Sequence, residues 1–232
     1  MDRPLKDKAV LVAGGSSGIG AATALAAAEA GAQVTIASRR VPDGALAGFA
    51  HIPLDVTDED GVAAALAQAG PFDHVAFTVG HVARQAVRGS RVAQVRDGFD
   101  LKFWGAYRIA AHARIVEGGS LTLVSGAYAV RPAKGHVLAA CANIAVEGLA
   151  KSLALEFAPT RVNCVSPGLV DTPLWSGMDD ARKRAMFEQA ANALPAGHVG
   201  TGADIAAIIL LCMTNPMLTG SVLLADGGHV LV

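Results

Sequence analysis

Short runs of β-branched residues alternate with alanine-rich stretches along almost the whole chain. Seven of these runs are typical of strands, at residues 9–14, 33–38, 51–56, 74–80, 120–126, 161–168 and 220–228. Several are apolar on successive residues, as expected for strands covered on both faces. The intervening stretches favour helices, at residues 20–31, 58–70, about 91–116, 136–156 and 202–213. This alternation predicts an α/β fold of the Rossmann type, with a doubly wound, seven-stranded parallel sheet flanked by helices.

The chain of 232 residues contains no linker, repeat or low-complexity tract, which predicts one domain over residues 1–232. Its formal net charge of -1 provides no basic surface for nucleic acid. Residues 9–28 carry no charge, but glycines interrupt them, so a strand, a turn and a helix fit better than a membrane span. Cys141, Cys164 and Cys212 lie far apart, and no Cys or His pair has zinc-ligand spacing. We expect reduced thiols, no metal and a cytoplasmic protein.

A glycine-rich turn, "AGGSSGIGAA" at residues 13–22, follows the first strand directly. Gly14, Gly18 and Gly20 lack a Cβ where the backbone must turn tightly, approach a diphosphate or pack a helix on a strand. The helix that begins near Ile19 offers unpaired N–H groups and the positive end of its dipole to an anion. Because the turn stands between a strand and a helix in the first βα unit, it predicts a dinucleotide site.

The spacing Gly-x-x-x-Gly-x-Gly resembles the fingerprint of the short-chain dehydrogenase/reductase family, and the resemblance covers nearly the whole chain. "LDV" at 54–56, "VSPGLVDTP" at 165–173 and the ending "LTGSVLLADGG" at 218–228 resemble further family segments. The resemblance implies a nicotinamide cofactor, a small carbonyl or alcohol substrate, and a homodimer or homotetramer. It implies cofactor contacts at Gly14, Ser16, Ser17, Gly18, Ile19, Asp55, Val56, Gly80, Asn143, Pro167, Gly168, Val170 and Thr172.

The residues after the second predicted strand indicate which nicotinamide cofactor to expect. An acidic side chain there usually binds the ribose hydroxyls of NAD. This chain instead has Arg39 and Arg40, and no acid between Gln33 and Val41. A guanidinium group is always charged and can bind a phosphate through two hydrogen bonds, and the hydroxyl of Ser16 could add a donor. We therefore predict NADP(H).

The catalytic positions implied by the resemblance are largely replaced. The family uses a Ser, a Tyr followed four residues later by a Lys, and an Asn. Ser125 matches the Ser, whereas Ala139 and Asn143 stand where the Tyr and Lys are expected, and Asp100 where the Asn is. No Tyr-x-x-x-Lys occurs anywhere in the chain. Losing a positioned acid slows such chemistry by roughly 10²- to 10⁴-fold.

Two functions from different classes remain open at this point. The first is an NADP(H)-dependent reductase or dehydrogenase in which Ser125 binds the substrate oxygen and the proton donor has moved. Candidate donors are His136, Tyr128 and a water held by Asp100 and Asn143, and His81 also lies near the expected nicotinamide ribose. The second is a non-catalytic protein that binds NADP(H) as a regulator or sensor. In either case, residues 174–195 are predicted to form a lid over the substrate.

Overall fold

The computed structural model describes residues 3–80, 84 and 86–232. Within this part, the strands are β1 Ala9–Ala13, β2 Gln33–Ser38, β3 Ala50–Pro53, β4 Phe72–Phe77, β5 Ile115–Val124, β6 Arg161–Pro167, β7 Val170–Asp171, β8 Gly200–Thr201 and β9 Val222–Ala225. The α-helices are α1 Gly18–Glu29, α2 Glu59–Ala67, α3 Val92–Phe99, α4 Gly105–His112, α5 Val137–Glu156, α6 Asp180–Ala193 and α7 Gly202–Thr214. A π-helical turn, Asp100–Trp104, joins α3 to α4.

The main sheet has seven strands in the order β3-β2-β1-β4-β5-β6-β9, and every neighbouring pair is parallel. The chain proceeds outward from β1 to β3 and then returns to place β4 on the other side of β1. Strand order therefore reverses between β1 and β4, where ligands bind in open α/β sheets. The predicted fold class is confirmed.

Hydrophobic cores on both faces of the sheet explain why the strands are apolar at successive positions. In β1, Leu11 packs into the core beneath α2, α4 and α5, whereas Val10 and Val12 pack into the core beneath α1 and α7. All three side chains are fully buried. Each contributes roughly 1.5–3 kcal/mol by burial, before chain entropy is counted.

The structure departs from the predicted boundaries in the middle of the chain. The predicted helix at about 91–116 is divided by the π-helical turn and ends at His112, and β5 begins at Ile115 rather than at 120. Gly118, with φ 78°, and Gly119 interrupt the apolar pattern of β5, so its first half does not look like a strand in the sequence. The short strands β7 and β8 form a separate two-stranded sheet that was not predicted.

Helix α5 is long and apolar enough to span a membrane, a property that it shares with buried helices of globular domains. Its apolar character has a local explanation in this fold, because Val146, Ala150 and Leu153 pack into the core on the α5 face of the sheet. The helix also carries Asn143 and Glu147, whose polar contacts reach the end of β5.

Candidate active site

The glycine turn between β1 and α1 is built by close backbone approach. Gly14 has φ 86°, in the left-handed region that favours glycine. A Cβ at Gly20 would overlap the carbonyl oxygen of Gly14 and crowd the hydroxyl of Thr78. The turn is therefore pressed against the end of β4, and the first N–H groups of α1 stay available for an anion.

A cavity of about 530 Å³ opens beside this turn, at the point where strand order reverses. Among the predicted cofactor residues, the cavity is lined by Gly14, Ser16, Ser17, Gly18, Ile19, Arg39, Arg40, Asp55, Val56, Gly80 and Thr172. The volume of the cavity suits a dinucleotide, and so does its elongated lining, which runs from β2 to the loop after β6.

The two arginines stand at the end of the cavity that follows β2. Both are exposed, and no carboxylate lies within ion-pair distance of either guanidinium among the described residues. Ser16 lines the same cavity. Asp43, two residues after Val41, also lines it and adds one carboxylate to this end. The arrangement leaves two cations available for a phosphate group.

Asp55 also lines the cavity and is a fixed hydrogen-bond acceptor. It accepts hydrogen bonds from the backbone N–H of Thr57 at 3.0 Å and from the Thr57 hydroxyl at 2.8 Å. These bonds, with a smaller contribution from the charge of Arg39, hold the pKa of Asp55 below its usual range. The carboxylate is therefore ionised and held in place to accept an amine donor.

The loop after β6 approaches the glycine turn, because a Cβ at Gly18 would lie 3.3 Å from the Cβ of Thr172. Pro167, Gly168 and Val170 support that loop rather than line the cavity. A Cβ at Gly168 would lie 2.7 Å from the Cα of Asp226, so this position packs directly on backbone. Val170 is buried and pairs with Gly200 across the small sheet.

Asn143 reaches from α5 to the segment after β5. Its Nδ2 donates to the carbonyl oxygen of Gly126 at 3.0 Å. Its Oδ1 is buried and has no hydrogen-bond partner among the described residues. An unpaired buried acceptor is unfavourable, so a hydroxyl donor from a ligand would fit here. Asn143 is buried and does not line the cavity, so the glycine turn and the arginines are the features of the cavity that fit a nicotinamide dinucleotide phosphate.

Ser125, the residue predicted to bind the substrate oxygen, is buried at the end of β5 and does not line the cavity. Its Oγ donates to Oε1 of Glu147 on α5 at 2.9 Å. The neighbouring position faces Asn143 instead, because a Cβ at Gly126 would lie 2.8 Å from the Asn143 Nδ2. The structure thus directs the Ser125 hydroxyl to Glu147, a partner that sequence reasoning missed.

Lys102 also contacts Ser125, and sequence reasoning missed it too. The side chain leaves the π-helical turn, is buried, and donates from Nζ to the carbonyl oxygen of Ser125 at 2.8 Å. Burial lowers the pKa of Lys102 to about 8, against the opposing effects of Cys164 and Glu147. A lone lysine in the apolar stretch "FDLKFWGAY" was the available sequence signal.

The structure does not bring Asp100 to Ser125. Its carboxylate accepts from Nη2 of Arg108, eight residues later in the chain, at 2.9 Å. Arg108 also bonds the carbonyl oxygen of Val56 and lies 3.7 Å from Glu59. Asp100 therefore belongs to an ion-pair cluster between α2 and α4, and Lys102 is the polar residue of that turn which reaches Ser125.

Tyr128 and His136, the two predicted donors, form a ring pair with centroids 4.4 Å apart. Burial raises the pKa of Tyr128, partly offset by the charge of Arg84, so its phenol keeps its proton at neutral pH. The Nδ1 of His136 lies 3.3 Å from the Lys134 carbonyl oxygen. Within the described residues, neither ring hydrogen-bonds Ser125. His81 lies outside the described residues.

The predicted lid contains a short turn and the helix α6, none of whose residues is buried. Trp175 and Phe187 pack edge to face with centroids 6.3 Å apart, and Trp175 donates to the Val170 carbonyl oxygen. Lys183 pairs with Asp171 at 2.7 Å. The segment is thus fastened to the loop after β6, while Leu174 and Ser176 line the cavity.

Comparison with known proteins gives similarities over the whole fold. A family model described as Enoyl-(Acyl carrier protein) reductase matches residues 13–229. A short-chain dehydrogenase/reductase of Acremonium sp is 32% identical, covering 98% of this chain and 97% of that protein. D-erythrulose reductase of Gallus gallus is 30% identical, covering 99% and 98%.

A solved structure extends the similarity to three dimensions. The crystal structure of a small-chain dehydrogenase in complex with NADPH superimposes with a TM-score of 0.89 at 36% sequence identity. The match covers 98% of this chain and 100% of that one. The two proteins therefore share their overall architecture.

Proposed function

Because this chain belongs to the short-chain dehydrogenase/reductase family, we propose that it is an NADP(H)-dependent oxidoreductase. In this proposal it transfers hydride between NADPH and a small carbonyl or alcohol substrate and uses a non-standard proton donor. The observation that carries the proposal is the pair Arg39 and Arg40 on the cavity beside Ser16. Two guanidinium groups without an ion-pair partner among the described residues would bind a 2′-phosphate that NADPH has and NADH lacks.

Each end of the cavity has a separate task in this proposal. The N–H groups at the start of α1 would bind the diphosphate, and the ionised Asp55 would accept from the adenine amine. The unpaired Oδ1 of Asn143 would accept from a ribose hydroxyl. When bound, the reduced nicotinamide supplies the hydride, so the protein must place the substrate and provide one proton.

The proton donor is where this chain departs from its family's usual pattern. Ala139 cannot exchange a proton, and Asn143 carries no charge that could lower the pKa of a neighbour. The Ser125 hydroxyl donates to Glu147. Tyr128, His136 and a water held by Asp100 and Asn143 were the donors expected from the sequence, and the buried Lys102 joins them as a structural candidate.

The substrate proposal is a small carbonyl compound or the matching alcohol. The similarity to D-erythrulose reductase supports a small substrate. Residues 174–195 would act as a lid over the substrate. Trp175 and Lys183 fasten this segment to the loop after β6, and no residue of α6 is buried. We propose a cytoplasmic protein that forms a homodimer or homotetramer. The exposed apolar side chains of Trp104, Tyr107 and Ile144 on α4, its preceding turn and α5 support that assembly.

A regulatory or sensor protein that binds NADP(H) without catalysis is the second candidate. The specific observation in its favour is that the Ser125 hydroxyl donates to Glu147 and does not line the cavity. In that case the glycine turn and the arginines would serve cofactor binding alone. Ser125 and Glu147 would only stabilise the structure beside the cavity.

Turnover measurements separate the two candidates. NADPH oxidation should be followed by absorbance against a panel of ketones, aldehydes, vicinal diketones, quinones and ketoses, with NADH as the matched cofactor control. We expect turnover of at least one class, faster with NADPH than with NADH. Tight NADPH binding without turnover of any class would favour the sensor, and turnover with NADH alone would contradict the cofactor assignment.

A further inference from the structure

Lys102 lies at the boundary between the cofactor cavity and the end of β5. A Cβ at Gly80 would lie 3.1 Å from both Cγ and Cδ of Lys102, so the lysine stem runs directly against Gly80. Gly80 and Leu101 both line the cavity. Beyond them, Nζ donates to the Ser125 carbonyl oxygen at 2.8 Å. The side chain therefore connects the carboxyl ends of β4 and β5 behind Gly80 and Leu101, and Lys102 itself is buried and does not line the cavity.

The Lys102 amine has more hydrogen-bond donors than acceptors among the described residues. An ammonium group has three N–H donors, and the Ser125 carbonyl oxygen is the single acceptor that it has among the described residues. A buried cation with unused donors is unfavourable unless a ligand or water completes its shell. Fastening β5 would not by itself require a charge, because a neutral donor can also bond a carbonyl oxygen.

The titratable groups that face Lys102 come from α5 and β6. Glu147 on α5 favours the ammonium form, and its Oε1 accepts from the Ser125 hydroxyl. Cys164 on β6 lies in the same buried cluster, and burial raises the pKa of its thiol to about 12, so it stays neutral. Asp100, on the same turn as Lys102, is paired with Arg108. With its pKa lowered to about 8, Lys102 can hold or release a proton near neutral pH.

We propose that Lys102 is the proton donor of this site, held by the Ser125 carbonyl oxygen and faced by Glu147. This inference rests on the proposed NADP(H)-dependent function. In the reduction, the carbonyl carbon accepts a hydride from NADPH and the carbonyl oxygen accepts a proton from the Lys102 ammonium. The C=O double bond becomes a C–OH single bond, NADPH becomes NADP⁺, and the neutral Lys102 amine recovers its proton from solvent.

The pH dependence of cofactor binding tests this placement without a known substrate. An ammonium group near the nicotinamide end would repel the positive ring of NADP⁺ and not the neutral ring of NADPH. The dissociation constants of both forms should be measured between pH 6.5 and 9.5. Their ratio is the readout, because titration of the 2′-phosphate affects both forms equally. We expect binding of NADP⁺ relative to NADPH to improve about tenfold as Lys102 loses its proton.

Variants assign the titration to one residue. In Lys102→Met, the ratio should be independent of pH and equal to the high-pH value of the unmodified protein. In Lys102→Arg, the ratio should stay at the low-pH value of the unmodified protein, because Arg stays charged. Glu147→Gln should shift the midpoint to lower pH, because it removes the carboxylate that favours the ammonium form. Lys151→Met, at an exposed position of α5, is the matched control and should behave as the unmodified protein.

Each outcome decides the inference. A ratio that does not change with pH in the unmodified protein, or a dependence that persists in both Lys102 variants, would overturn it while leaving NADPH binding intact. If Lys102→Met does not fold, Lys102→Arg and Glu147→Gln still assign the titration. Failure of the unmodified protein to bind NADPH would instead refute the proposed function itself.

Discussion

The glycine turn after β1 and the end of β5 lie at the same edge of the sheet, but the two regions are built differently. The turn relies on backbone, with Gly14 and Gly20 held so close to Thr78 that no larger residue fits. The β5 end relies on side chains, with Ser125 bonded to both Glu147 and Lys102. The first region leaves its donors open to a ligand, whereas the second satisfies its hydroxyl internally.

The difference shows which part of such a site can change its residues and still keep the fold. Backbone N–H groups at the start of α1 can bind a diphosphate whatever the other side chains are, provided that the glycines remain. A catalytic group depends on one side chain. Ala139 in place of the family's Tyr, and Lys102 as the proposed proton donor, therefore change the chemistry and leave the sheet intact. The cavity is therefore the part of the site that the family relationship explains most fully.

The largest expected effect on cofactor affinity comes from closing the backbone approach of Gly20 to Gly14. Gly20→Ala would place a methyl group against the Gly14 carbonyl oxygen, so the turn must shift. We expect NADPH affinity to fall on the order of 100-fold, with a lower unfolding midpoint. Gly48→Ala is the matched control, because a Cβ there meets nothing within 4 Å. Unchanged affinity in Gly20→Ala would mean that the turn does not hold the cofactor.

The second prediction concerns the pairing of β4 with β5 within the sheet. His74 on β4 is hydrogen-bonded to the Ser120 hydroxyl on β5 at 2.9 Å, and burial lowers its pKa to about 4. The unfolded chain binds this proton more readily than the folded protein does. Stability should therefore be complete above about pH 6.5 and decrease by about 3 kcal/mol as the pH falls to about 4.

Denaturant unfolding at several pH values measures this loss. His74→Gln should lack most of the decrease over that interval, whereas His112→Gln at the end of α4 should keep it. Equal acid sensitivity in His74→Gln and the unmodified protein would assign the effect to other groups.

The smallest effect is expected at the arginines, since both are exposed. Arg39→Ala and Arg40→Ala should each weaken NADPH binding about tenfold, the loss of one exposed charge-assisted bond, and leave NADH binding nearly unchanged. Arg3→Ala, near Gly31 at the opposite edge of the sheet, is the matched control. Equal losses for NADPH and NADH would show that the arginines do not contact the 2′-phosphate.

The fold and the cavity could be predicted from the sequence because their signals are local. Periodicity placed the seven strands of the main sheet within a few residues, apart from the start of β5, where Gly118 and Gly119 break the pattern. The glycine spacing and the arginines after β2 needed only their position in the chain.

The polar contacts around Ser125 could not be predicted, because they depend on side-chain direction. The resemblance to the family placed Asp100 where the catalytic Asn is expected. The π-helical turn changes the angular position of Lys102 relative to regular α-helix, so 3.6-residue periodicity does not give its direction. Similarly, Ser125 and Gly126 are adjacent in sequence, and the sheet decides which of them faces Glu147 and which faces Asn143.

Fluorescence titration of the unmodified protein with NADPH and with NADH tests the central claim most directly. The preserved glycine turn and the paired arginines predict saturable binding of NADPH, at least about tenfold tighter than that of NADH. Equal affinities would contradict the assignment of Arg39 and Arg40, and absence of binding for both cofactors would mean that the cavity no longer serves a dinucleotide.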